Sequence, residues 1–146
     1  MIEPVSSNNI DQVLPLIRLY QAFYHVKVVC DSDNRKFFSQ FDIDNPLGCL
    51  FVARDDEQVI GFATVYFSFS STLIQKVAVM NDLFVVPDYR GHGKGRELIE
   101  HCRYFARQRG AGRLQWVTAP DNRQAQQLYD ATPARKSVWN FYAYDV

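Results

Sequence analysis

Apolar residues fall at helical intervals at the start of the chain and then change rhythm. Ile10, Val13, Leu14, Ile17, Tyr20 and Tyr24 recur behind the start signals Asn8, Asn9 and Asp11, which predicts a helix with one buried face. Pro15 lies inside that pattern, so it must sit in the first turn or kink the helix, because proline lacks an N–H. A short second helix is expected over Arg35 to Phe41, with Cys30 to Asp33 as the loop before it. The middle of the chain reads as sheet. Cys49 to Arg54, Val59 to Ser70 and Ile74 to Val86 are rich in Val, Phe and Tyr, and short polar turns join them into an antiparallel meander.

After Pro87 the helical rhythm returns. Leu98, Ile99, Cys102, Phe105 and Ala106 mark one face of a helix, and Gly110 and Gly112 end it. Leu114 to Thr118 reads as a short strand. Asp121 is placed to cap a last helix whose buried face is Ala125, Leu128 and Tyr129, with Pro133 as its stop. Val138 to Val146 reads as a terminal strand. The order is helix, helix, three strands, helix, strand, helix, strand. This predicts an α+β fold, a mixed and mostly antiparallel sheet flanked by about four helices. The 146 residues suit one domain, 1–146.

Composition narrows the function. Apolar residues make up 47%, enough for a core, and 16 basic side chains balance 16 acidic ones. Such a chain lacks the broad positive field of a nucleic-acid binder. Three cysteines without a CxxC pair suggest neither a disulfide framework nor a zinc site, and fit space-filling thiols in a reducing cytoplasm. His25, His92 and His101 have no partner at metal-ligand spacing, and His25 and His101 read as surface residues. The N-terminus shows no secretory pattern, and no apolar run is long enough for a bilayer.

The chemistry concentrates in Asn81 to Arg96, NDLFVVPDYRGHGKGR. A strand ends at Val86, and Gly91, Gly93 and Gly95 lead straight into a helix. Glycine permits positive φ angles and close approach, so successive N–H groups can converge on one anion at the positive end of the helix dipole. Arg90, Lys94 and Arg96 add formal charge. The spacing fails the dinucleotide fingerprint, because Arg96 stands where its third glycine belongs. It fails the Walker loop as well, with Asp88 and Gly95 at required positions. The bland reading is a tight turn without a ligand, which the folding entropy of three glycines opposes.

This segment resembles the acetyl-CoA site of the GNAT superfamily of N-acetyltransferases. Their Arg/Gln-x-x-Gly-x-Gly/Ala motif is met by Arg90, Gly93 and Gly95, and the similarity runs upstream to Leu83 and downstream through Asp121 to Tyr129. The first fifty residues match in outline. The resemblance implies acetyl-CoA as co-substrate, with Gly91, His92, Gly93, Lys94, Gly95 and Arg96 holding its pyrophosphate through their amides. It implies that the main chains of Leu83, Phe84 and Val85 pair with the pantetheine arm, beside a bulge that opens the acyl slot. The amide near Val85 would face the thioester carbonyl. Asn122 stands where a side chain touches the arm, and Tyr129 where a tyrosine protonates the leaving thiolate. Asn122 and Tyr129 are seven residues apart, about 700° along a helix and within roughly 20° of two full turns, so they share a face. Tyr129 read alone is a core aromatic beside Leu128, since aromatics at helical spacing are usually packing.

The implied reaction is direct attack of a neutral primary amine on the acetyl thioester. An alkyl amine with a pKa of about 10.4 is neutral in about one part per thousand at physiological pH, so deprotonation costs about 4 kcal/mol. Asn81-Asp-Leu-Phe-Val resembles the strand of diamine and polyamine acetyltransferases that carries Glu-Asp, but Asn81 replaces the glutamate and cannot serve as a base. Asp82 remains, either to bind the substrate ammonium or act through water, or as a solvated or hydrogen-bonded strand-edge carboxylate. Val117, five residues before Asn122, offers no base. The run from Leu128 to Tyr142 resembles the small-amine and histone-type branch, which points to a small amine or a protein amine as acceptor. Asp31, Asp33, Tyr20 and Tyr24 are candidates for the substrate side. The competing readings are a catalytically weak acyl-CoA-binding regulatory module and an interaction domain without a ligand. The aromatic terminal strand offers an edge for a homodimer.

Overall fold

Alternation along β2 divides the molecule into two apolar layers. The computed structural model describes residues 1–146. It contains β1 (Ile2–Pro4), α1 (Ile10–Phe23), α2 (Asp31–Phe38), β2 (Gly48–Asp55), β3 (Gln58–Ser70), β4 (Gln75–Val85), α3 (Lys94–Gln108), β5 (Leu114–Gln115) and α4 (Arg123–Asp130). The strands lie in sequence order, antiparallel from β1 to β4, with β5 parallel to β4. Cys49, Phe51 and Ala53 point to the face covered by α3, where Leu98, Ile99, Cys102, Phe105 and Ala106 pack. Leu50 and Val52 point to the opposite face, under Ile10, Val13, Leu14 and Ile17 of α1. The result is the expected α+β architecture, an open and mostly antiparallel sheet with four helices.

Several elements differ from the sequence reading. β1 was not expected. Three residues carry too short a pattern to show period two, yet Ile2, Glu3 and Pro4 add an edge to β2. α2 begins at Asp31, so Cys30 to Asp33 is the helix start and not a loop. Two ion pairs, Arg18 with Asp31 and Arg35 with Asp11, fix α2 to α1, and Gln21 and Asn34 exchange amide hydrogen bonds of 2.8 and 3.1 Å. Asn122 caps α4 in place of Asp121, its Oδ1 accepting from the Ala125 N–H at 3.2 Å. β5 stops at Gln115 instead of Thr118. The terminal strand over Val138 to Val146 is absent. That segment makes no backbone ladder, because β5 is only two residues long and no element of the same chain lies against it. Cys49 and Cys102 are buried in the core and Cys30 is exposed, all three as free thiols. His101 is half-buried, its ring edge-on to Phe51 at 4.6 Å, and burial lowers its pKa, which corrects its reading as a surface residue. No helix is long and apolar enough to cross a membrane.

Candidate functional site

β4 carries one residue more than β3 opposite it. Thr64 pairs with Asp82 and Val65 with Met80, so Asn81 is the bulged residue. A bulge tightens the local twist and turns the strand away from its neighbours. β5 accordingly follows β4 only at Ala78 and Val79. Beyond the bulge, the Val86 N–H donates to the Ile60 carbonyl at 2.9 Å. Main-chain groups alternate sides along an antiparallel ladder. Asp82 and Phe84 therefore turn their main chains to β3, whereas Leu83 and Val85 turn theirs outward, where no strand lies. Of the expected trio, Phe84 thus differs from Leu83 and Val85 in having its main chain already paired.

The chain then turns through Pro87–Tyr89 into α3. Gly91 and Gly93 sit at φ +78° and +79°, in the left-handed region open to glycine, and Gly93 is the residue that caps the helix. The N–H groups of residues 91 to 96 make no hydrogen bond within the protein. They are orphan donors at a helix N-terminus, the arrangement that binds anions. Arg90 braces the turn: its Nε donates to the Val85 carbonyl at 2.8 Å and Nη1 reaches Gln124 Oε1 at 3.4 Å. Lys94 leans on Glu97 at 3.4 Å, and Arg96 has no ion-pair partner. Gly95 bears on packing as well. A Cβ there would lie 2.8 Å from Cδ2 of Leu128, so its absence lets α4 close on α3.

A cavity of about 510 Å³ joins these parts. Its walls include Leu83, Phe84 and Val85, the turn from Arg90 to Arg96, Asn122 and Tyr129. Tyr20 and Phe23 of α1, with Tyr24 just past its end, close the remaining side. Asn122 gives its Oδ1 to the helix cap, which leaves Nδ2 as the group it can present. Tyr129 lies edge-on to Trp116 at 5.4 Å. Burial, and then the neighbouring Tyr24, push its pKa up to about 12, so its hydroxyl remains a proton donor throughout the neutral range.

Two expected residues stand apart from the cavity. His92 is exposed and does not line it, so only its main-chain N–H belongs to the turn. Asp82 is 8% exposed and lies behind the wall. Thr64 Oγ1 donates to one of its oxygens, and Asn81 Nδ2 donates to the other at 3.1 Å. Of the two bland readings of Asp82, a solvated or a hydrogen-bonded strand-edge carboxylate, the hydrogen-bonded one describes it, and it is buried. Tyr20 connects the two regions. It lines the cavity, and burial, followed by the adjacent Asp82 carboxylate, raises its pKa. Asp31 and Asp33 lie on α2 away from the cavity. Thr64 and Phe23 had not been singled out. Thr64 pairs with Asp82 across 18 residues of chain, and Phe23 falls off the apolar stripe of α1. No group of three or more His, Cys, Asp or Glu side chains is placed to hold a metal ion.

Residues 14–131 match the acetyltransferase (GNAT) family. An uncharacterized N-acetyltransferase, YhfO, of Bacillus subtilis (strain 168) is 30% identical over 129 residues, which is 88% of this chain and 85% of that protein. The thialysine N-epsilon-acetyltransferase of Caenorhabditis elegans is 28% identical over 129 residues, 88% of this chain and 79% of its own length. Among solved structures, a probable acetyltransferase superposes with a TM-score of 0.84 at 26% identity, covering 100% of this chain and 97% of the other.

Proposed function

This chain belongs to the acetyltransferase (GNAT) family and is an N-acetyltransferase, and from that premise we propose that it moves an acetyl group from acetyl-CoA to a primary amine by direct attack. The observation that carries the reading is the row of unpaired N–H groups from Gly91 to Arg96 opening into the cavity. They hold the pyrophosphate of CoA, with Lys94 and Arg96 adding charge. Arg90 acts through the turn it braces. The outward main chains of Leu83 and Val85 pair with the pantetheine arm, Phe84 flanks it, and Asn122 reaches it through Nδ2. The thioester then lies beside β4, where the Val85 N–H is aimed at the oxygen that becomes negative on attack.

The acceptor enters between α1 and Tyr129. Its aromatic wall of Tyr20, Phe23 and Tyr24 suits a cationic alkyl amine, because ring faces attract ammonium groups. The thialysine-acetylating relative supports a side-chain amine of that class, on a small molecule or a peptide. The Asp82 carboxylate is the negative charge that faces this end, and it draws the departing amine proton through Tyr20 or water. Tyr129 donates its phenolic proton to the CoA sulfur as the C–S bond breaks, leaving free CoA and the acetamide. One domain, 1–146, working in the cytoplasm fits this chemistry. Acetyl-CoA turnover measured across alkyl amines, thialysine, lysine peptides and aminoglycosides tests the reading. CoA release with at least one amine is expected. No release with any of them, together with no thermal shift on adding acetyl-CoA, would overturn it.

A further inference from the structure

We propose that the acceptor carries a single positive charge at the end of an apolar arm, and that the site rejects short amines bearing a second ammonium group. The inference deepens the acetyltransfer reading above and rests on it. Its ground is the distribution of charge around the cavity. No aspartate or glutamate lines it, and its three charged residues, Arg90, Lys94 and Arg96, are all basic and all lie at the turn into α3. The acceptor end is walled instead by Tyr20, Phe23 and Tyr24, whose rings pack edge-on to one another at 4.9 and 5.1 Å. The acids on the neighbouring helices are engaged elsewhere. Asp11 and Asp31 pair with Arg35 and Arg18 between α1 and α2, and Asp130 of α4 pairs with Lys136. Asp33 lies on α2 away from the cavity.

That leaves Asp82, buried behind the wall beside Tyr20 and without a cationic partner in the protein. One carboxylate balances one ammonium. The balance holds while the amine approaches, since the nitrogen that attacks must first lose its proton. A second ammonium stays charged throughout. On a short arm it enters the same aromatic space, sheds its water and meets no carboxylate, which is the costly case of an unpaired charge. Ring faces attract it, but weakly where the rings are open to solvent, and Phe23 and Tyr24 are 53% and 45% exposed. On a longer arm the second charge passes the mouth and remains in water, so rejection fades with length. A lysine side chain in a peptide, with one ammonium on a flexible aliphatic stem, meets the description. Short diamines and aminoglycosides do not.

Release of CoA from acetyl-CoA, measured at one pH with amines matched in length, reads the result directly. Butylamine is set against putrescine, pentylamine against cadaverine, and octylamine against diaminooctane. For the two short pairs the monoamine is expected to show a kcat/KM at least about 10-fold above the diamine, with the ratio closing towards unity in the longest pair. Phe23→Glu places a carboxylate on the wall at a half-exposed position and is expected to shrink or invert the ratio for the short pairs; Tyr24→Glu repeats the test from the adjacent ring. The readout is a ratio within each protein, so a general loss of activity in a variant does not imitate the effect. Putrescine turned over as well as butylamine by the unaltered protein would overturn the proposal, and so would a ratio that both variants leave in place. In either case an amine still releases CoA and the acetyltransfer reading stands, whereas no release with any amine would bring down both.

Discussion

At the scale of single residues, Tyr129 and Asp82 separate by environment. Tyr129 lies in the cavity wall with its pKa raised to about 12, chiefly by burial, so it holds its proton wherever the protein is folded and active. Replacing it with phenylalanine removes one oxygen and keeps the ring against Trp116. We expect Tyr129→Phe to lower kcat by about 10²-fold, the range of general acid catalysis, with affinity for acetyl-CoA unchanged. Since the phenol titrates only near pH 12, it contributes no alkaline limb to the wild-type rate profile below about pH 11. A pH–rate profile of both proteins, alongside acetyl-CoA titration, checks each part. Asp82 is different in kind. Its two oxygens are held by Thr64 and Asn81, and Asp82→Asn would place an amide where Thr64 donates. That variant is expected to raise KM for the amine more than it lowers kcat, because charge toward the acceptor is what it loses. An unchanged KM would remove Asp82 from the acceptor side.

Elements come together at Gly95. The start of α3 and the middle of α4 touch there, with only 2.8 Å between an added Cβ and Cδ2 of Leu128. Alanine at 95 meets the end of a flexible side chain and gains helix propensity of about 1 kcal/mol, so the two effects nearly cancel. A β-branched residue has no such escape. Gly95→Val is expected to destabilise by about 1–3 kcal/mol, the usual cost of overpacking, and to weaken acetyl-CoA binding and turnover together because α4 carries Tyr129 and is capped by Asn122. Adding Leu128→Ala should restore part of the loss, and a double-mutant cycle by thermal melting measures it. Local signals made this region legible: alternating glycines after a strand and two residues seven apart on a helix need no knowledge of the fold. What was hidden depends on distant pairing. The Thr64–Asp82 contact follows from strand register, and the bulge at Asn81 appears only when β3 and β4 are laid side by side. β1 was too short to show a period. The tail from Val138 has a strand's composition, but the chain supplies no neighbour for it.

Across the whole molecule, buried groups that ionise at high pH set the alkaline limit. Burial raises Cys49 and Cys102 from 9.0 to about 12, and Tyr66 and Tyr129 from 10.0 to about 12. The unfolded chain loses these protons first, so stability is complete below about pH 9 and declines as pH rises towards 12. Denaturant midpoints taken at intervals from pH 8 to 12 should fall steadily, with Tyr66→Phe flattening the upper part of the curve. The uneven placement of the three thiols also bears on how this protein is assayed. Released CoA is commonly counted with aromatic disulfide reagents, and the folded chain presents one sulfhydryl to them, Cys30 at the head of α2, while two stay sealed in the interior. Each mole of enzyme therefore adds a fast background of one equivalent, rising to three in denaturant, and Cys30→Ser gives a silent enzyme for that measurement.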